Sequence, residues 1–179
     1  GEKAVGLILG AMRRRGIATV LGEKPQRFEA DAVQLERTRI DSAMTLFMPG
    51  LTGQAWLDET PLPRSPGGFV QGDAQCRVPG MACTFVAGDG GSYPGPDWLP
   101  KQAHQADLQA EVAARNLLRT LRGEPADEAF TAELVCIVDT LDRGLLVTRK
   151  GSGGRALPPL RAMHWAKSAF EKRYLRRYR

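Results

Sequence analysis

The sequence predicts an α/β chain, or an α+β portion of one, that ends in an amphipathic helix. Three observations predict it. Helical periodicity alternates with short apolar runs of strand type, proline- and glycine-rich loops separate the two, and basic residues gather on a helical repeat at the far end. With 179 residues, 42% hydrophobic and 25% charged, the chain can bury a substantial core, and disorder is excluded as its main state.

Val5 to Arg15 reads as a helix, stopped by Gly16 after the basic run Arg13, Arg14, Arg15. The chain opens on Gly1 and runs directly into this helix without a leader or a first strand, which reads as an excised segment. Ile17 to Leu21 is strand-like, Arg27 to Phe28 and Ala32 to Leu35 are short β candidates, and Met44 to Met48 leads into a Pro49-Gly50 turn. Leu51 to Gly68 is an irregular loop. Gly68 to Val70 and Thr84 to Ala87 then read as strands flanking a turn at Pro79-Gly80. Gly90 to Pro100 is too rich in glycine and proline for a regular element. A helix follows from Gln102 to Arg122, with Ala106, Ala110, Ala113, Ala114, Leu117, Leu118 and Leu121 on one broad face and Gly123 as its stop. Leu134 to Val138 and Leu145 to Val147 read as strands joined at Asp142, Arg143, Gly144. Gly151 to Pro159 is a linker, and a last helix begins near Leu160.

No apolar run reaches the roughly 18 to 20 residues of a spanning helix. Cys76, Cys83 and Cys136 form no CxxC pair and no metal-ligand grouping with His104 and His164, so no metal is expected. Their odd number suggests a reducing compartment. The net charge of +5 is concentrated. From Arg161 to Arg179 seven basic residues stand against Glu171 alone, so that segment carries +6 and the remainder is slightly negative. Basic and aromatic residues together also suit nucleic acid, but no RNA- or DNA-binding motif accompanies them, and no nucleic-acid partner is expected.

Thr84-Phe85-Val86-Ala87-Gly88-Asp89, followed by a loop and an alanine-rich helix, resembles the second flavin-binding motif of two-dinucleotide-binding-domain flavoproteins. The plain alternative is a strand ending in an ordinary turn. Val135-Cys136-Ile137-Val138-Asp139-Thr140-Leu141-Asp142-Arg143-Gly144 closely resembles the redox-cysteine segment of sulfide:quinone oxidoreductases, and His164 to Lys172 is similar to their quinone-site and membrane helix. The chain therefore looks like the carboxyl-terminal portion of such a flavoprotein, a remnant of its two-domain fold. Residues 1–48 would end the pyridine-nucleotide-binding-like domain, 49–125 would return to the FAD-binding domain, and 126–179 would supply the redox-cysteine strands and the membrane helix.

The resemblance implies roles residue by residue. FAD is the cofactor, with Gly88 admitting backbone close to it, Asp89 on the ribityl chain, and Pro100, Lys101, Gln102 and Ala103 at the pyrimidine edge. The start of a helix suits that edge because its first N–H groups are unpaired and its dipole favours the anionic reduced form. Lys101 alone is equally a solvated lysine, and the stretch reads Lys101-Gln102-Ala103-His104 where many family members have Lys-Thr-Gly. Cys136 is one half of a redox pair whose other half lies outside this chain. Sulfide oxidation needs a soft nucleophile, which a thiolate provides; buried packing is the alternative, and packing is expected for Cys76 and Cys83. Ile137, Lys167 and Phe170 are quinone-site residues. Met163, Ala166, Phe170, Tyr174 and Tyr178 form a stripe for the membrane boundary, or else a core stripe with a solvated basic side.

The implied function is oxidation of sulfide with transfer of electrons through FAD to a membrane quinone. The implied location is peripheral, on the cytoplasmic membrane of a bacterium through residues 160–179, and a homo-oligomer is left open. This portion alone is expected to be inactive, since the GxGxxG that grips FAD pyrophosphate does not occur in it. A type II NADH dehydrogenase, a flavocytochrome c sulfide dehydrogenase and a non-catalytic membrane-binding module are the alternatives.

Overall fold

A computed structural model describes residues Glu2 to Arg176; Arg177, Tyr178 and Arg179, the last part of the expected basic stripe, lie outside the described residues. The chain divides into two compact units, Glu2–Leu51 and the part from Thr52 onward.

In the first unit, helix α1 spans Glu2–Arg14, with Glu2 in its first turn and Arg13 and Arg14 in its last, matched to the helix dipole. It stops at Gly16 (φ +71°), where the N–H groups of Arg15 and Ile17 both donate to the Met12 carbonyl. The expected strand at Ile17 to Leu21 does not form: the segment finds no partner strand, and Ile17, Val20 and Leu21 are exposed. Instead β1 (Pro25–Phe28), β2 (Ala32–Leu35) and β3 (Arg39–Asp41) make an antiparallel meander in chain order. Arg27 and Arg39 both bond the Glu29 carboxylate. Met44 to Met48 has no regular structure and is exposed.

In the second unit, a 3-10 turn at Ala55–Glu59 seats Leu57 against Val70 and Val78 in a small buried cluster. The strand expected at Gly68 to Val70 is shifted to β4 (Val70–Gln71), which pairs in parallel with β5 (Gly91–Ser92) inside the stretch expected to be loop. Thr84 to Ala87 is not a ladder strand. It makes one bridge, Phe85 to Arg77, with Val78 N–H donating to Thr84 O and Val86 N–H to Cys76 O, because its neighbour is a bent loop too short to pair further.

Helix α2 (Ala103–Leu121) forms as expected, with Gly123 (φ +70°) beyond its end, but its inner face is not the alanine and leucine stripe. Gln105, Gln109, Val112, Ala113 and Asn116 are buried, whereas Ala110 and Ala114 are exposed, as are Leu118 and Leu121 at 52% and 69%. The polar members recur at helical spacing and bond non-helical backbone that would otherwise be buried without partners. Asn116 donates to Gln75 O and Glu128 O, and Gln105 donates to Thr131 O. Cys76, Val112 and Ala113 form the apolar part of this contact, with Phe85, Tyr93 and Phe130 packed on it.

The last sheet is the meander β6 (Glu133–Asp139), β7 (Gly144–Lys150) and β8 (Gly153–Ala156), the third strand lying where a linker was expected. Helix α3 (Arg161–Leu175) returns across β7 and β6. Gly144 permits that approach: a Cβ there would sit 2.7 Å from Ile137 Cγ2 and 3.0 Å from His164 N. Gly144 and Leu160 also exchange two backbone hydrogen bonds, of 2.9 and 3.0 Å.

Candidate functional site

The Gly-Asp motif makes a single 3-10 turn, Gly88–Gly90, pressed onto α2. Gly88 sits at φ +72°, and a Cβ on it would lie 3.2 Å from Ala106 Cβ, so both the backbone angle and the space favour glycine. Its N–H donates to the buried Gln109 Oε1 at 3.0 Å. Lys101 reaches back over the same turn. Its Nζ donates to Asp89 O (2.8 Å) and Gly91 O (2.7 Å) and stands 3.8 Å from the Phe69 ring centroid. Burial lowers the Lys101 pKa, against the attraction of Asp89. The ammonium is thus a clamp on the turn, not a free cation in solvent. The Asp89 side chain is exposed and accepts no hydrogen bond among the described residues.

Gly88, Asp89, Gly91, Tyr93, Pro100 and Lys101 line a concavity of about 150 Å³ whose wall is Ala106 and Gln109 of α2. Gln102, the residue before the helix, has an extended backbone and makes no side-chain cap, so nothing from it covers the first N–H groups of α2. Its Oε1 is buried without a hydrogen-bond partner among the described residues. Donors and an acceptor are therefore both unspent at one helix start, beginning at Ala103. The sequence brings Gly88, Asp89, Pro100, Lys101, Gln102 and Ala103 together here as expected by position. It gave no reason to single out Gln109 or Tyr93, although the polar repeat Gln105, Gln109 inside an alanine-rich helix is the signal that could have found the first.

The cysteine strand is tied to that same helix start. Glu133 N–H donates to Gln105 Oε1 at 3.0 Å, and the Glu133 carboxylate meets His104 Nε2 at 2.7 Å and Lys150 Nζ at 3.3 Å. The bond from His104, more than Lys150, holds the Glu133 carboxyl below its ordinary pKa. Cys136 follows three residues on, roughly 10 Å along the strand. It is half-buried and free, and it pairs with Val147. Cys76, in contrast, is fully buried at φ +63°, its thiol donates to Gln109 O, and burial and then Asp73 push its pKa up to about 12; it is packing. Cys83 is exposed.

Strand alternation puts Ile137 and Asp139 on the face opposite Cys136, under α3. His164 Nδ1 lies 3.1 Å from both Asp139 oxygens, and Lys167 Nζ is 3.9 Å from Asp139 and 3.6 Å from Glu171. The His164 bond is the largest cause of a lowered Asp139 pKa. Phe170 is 63% exposed and stacks on Tyr174 at 5.9 Å. It lines a different space, a groove of about 490 Å³ between α2 and α3 with His104, Asp107, Leu108 and Arg173. Ile137 and Lys167 line the sheet side of α3 and not this groove. Of the expected stripe, Met163 and Tyr174 are half-buried while Ala166 and Phe170 are exposed; the helix also shows solvent Trp165 (69% exposed) among Arg161, Lys172 and Arg176.

The fold that carries this arrangement is shared with an oxidoreductase of known structure. The chain superposes on the sulfide:quinone oxidoreductase of the hyperthermophilic bacterium Aquifex aeolicus with a TM-score of 0.80 and 19% identity, covering 94% of this chain and 43% of that one. The likeness is one of fold, and the chain spans less than half of the length of that enzyme. No protein-family model and no curated protein matches the chain.

Proposed function

We propose that this chain is the carboxyl-terminal part of an FAD-dependent oxidoreductase that oxidises sulfide at Cys136 and delivers the electrons to a membrane quinone. The observation that carries the reading is the shared helix start. The Gly88–Gly90 turn, the unpartnered Gln102 Oε1 and the cysteine strand, through Glu133, all converge on the first two turns of α2. The residues fit one edge of a flavin. Its pyrimidine ring presents carbonyl acceptors, which complement the unpaired N–H groups from Ala103 onward. When bound, the flavin would supply the electron carrier through which a two-electron oxidation at sulfur passes to a separate acceptor. The chain's own part is to orient that edge, to place the positive end of α2 where negative charge accumulates, and to hold a sulfur nucleophile on the adjoining strand.

Phe170, exposed and stacked beside a groove of ligand size, supports contact with a quinone ring, whereas Ile137 and Lys167, expected at the same ring, lie on the sheet side of α3 and do not line that groove. The solvent face of α3, with Trp165 among basic residues, supports contact with an anionic membrane surface at about 1 kcal/mol per basic residue. Among the described residues no helix is long and apolar enough to cross a membrane. The test is Cys136→Ser in the whole protein, which should abolish sulfide-dependent quinone reduction while leaving bound flavin in place. Unchanged turnover would remove Cys136 from the reaction. Deleting residues 160–179 should release the protein from anionic liposomes, and undiminished co-sedimentation would exclude α3 as the membrane contact.

A further inference from the structure

We infer that Arg149 is a positioning residue that draws anionic sulfur species to Cys136, an inference that rests on the proposed role of Cys136 and adds the charge of its substrate. The register decides which side chains share the cysteine's face. Leu134 pairs with Arg149, Cys136 with Val147 and Val138 with Leu145, while Gly154 and Ala156 continue the first two rows onto β8. On that face Leu134, Cys136, Val138, Leu145, Val147, Gly154 and Ala156 are uncharged, and Arg149 alone carries a charge. It stands at the diagonal position to Cys136, where Cα atoms of neighbouring strands are about 7–8 Å apart, within one Debye length at physiological salt.

The guanidinium is held, and its charge is unspent. Arg149 Cζ lies 4.7 Å from the Trp98 ring centroid, so the loop that leads into α2 reaches this face of the sheet and stacks on the arginine. Gly154 stands opposite in the register and puts no side chain beside it. Arg27, Arg39, Arg64, Arg77, Arg115, Arg119 and Arg143 each have a carboxylate partner, and on the same strand Lys150 is paired with Glu133. Arg149 has none among the described residues. Stacking fixes the plane of a guanidinium while leaving its N–H edge free for an anion. An otherwise apolar face gives an anionic sulfur nothing else to balance its charge. The ligand class is a small, soft monoanion: hydrosulfide, or the terminal sulfur of a persulfide.

The test compares two alkylating probes on the full chain. Iodoacetate is an anion and iodoacetamide is its neutral analogue, so the ratio of their rates at one cysteine reads the local field and not the intrinsic reactivity of the thiol. Peptide mass spectrometry follows Cys136 and, as an internal reference, the exposed Cys83. The ratio at Cys136 should exceed that at Cys83, should fall at least about threefold in Arg149→Gln, and should largely survive Arg149→Lys. Added salt should reduce the wild-type ratio toward that of the glutamine variant. A ratio at Cys136 unchanged in Arg149→Gln overturns the inference, as does an equal fall at Cys83. Neither result bears on whether Cys136→Ser loses sulfide oxidation, so the two readings fail separately.

Discussion

Gly88 has two independent reasons to be glycine, its left-handed backbone and the 3.2 Å approach to Ala106 Cβ. Gly88→Ala should destabilise the chain by about 1–2 kcal/mol from the backbone angle alone, measured as a lowered urea midpoint. Gln109→Leu should cost about 1–3 kcal/mol, because it leaves the Gly88 N–H without an acceptor beneath the helix. If either variant unfolds at the wild-type midpoint, the turn is not held against α2 in solution. The glycine was legible in the sequence, since a Gly-Asp pair ahead of a helix demands a tight turn. The orientation of Lys101 was not: nothing in the local sequence distinguishes an ammonium reaching out to solvent from one folded back on two carbonyls ten and twelve residues earlier.

Elements show the same division between local and non-local information. The three helices are legible from periodicity and, for α1 and α2, glycine stops, and β6 and β7 from their continuous apolar runs. The inner face of α2 departs from the alanine and leucine stripe because its partners are loop backbone, which selects amides where a second helix or sheet would select alanine and leucine. β8 was hidden by its glycines, which have low strand propensity yet allow the tight return beside β7. Docking of α3 depends on Gly144. Gly144→Ala would place a methyl 2.7 Å from Ile137 Cγ2 and 2.9 Å from the Met163 carbonyl carbon, and backbone cannot yield as a side-chain end can. A loss of about 1–3 kcal/mol is expected, with faster hydrogen exchange in α3 than in α2. The His164 to Asp139 bond makes the same contact sensitive to acid. The folded-state pKa of Asp139 lies below its unfolded value of about 3.9, so its contribution is present above that pH and is lost as pH falls through the folded value. Carboxyl NMR should show Asp139 titrating below the ordinary range, and His164→Gln should move it upward; an unmoved titration would mean that the bond does not form in solution.

At the scale of the molecule, the cofactor surface proposed on the second unit is a partial one. The hollow beside Gly88 is about 150 Å³, whereas a site that encloses a drug-sized ligand measures roughly 300–1,000 Å³. One ring edge fits; the remainder of a dinucleotide would have to lie on surface that this chain does not supply. Micromolar FAD is therefore expected to separate from the chain on gel filtration. At about millimolar flavin mononucleotide, where a partial site need contribute only about 4 kcal/mol, binding should become visible. The amide signals of Ala103 to Gln105, the unspent donors at the start of α2, should shift, as should those of Gly88 to Gly91 in the turn that lines the hollow, while β1 to β3 should be unaffected. Shifts centred on any other part of the chain would dissociate the Gly-Asp turn from flavin recognition and leave the fold without the chemistry proposed for it.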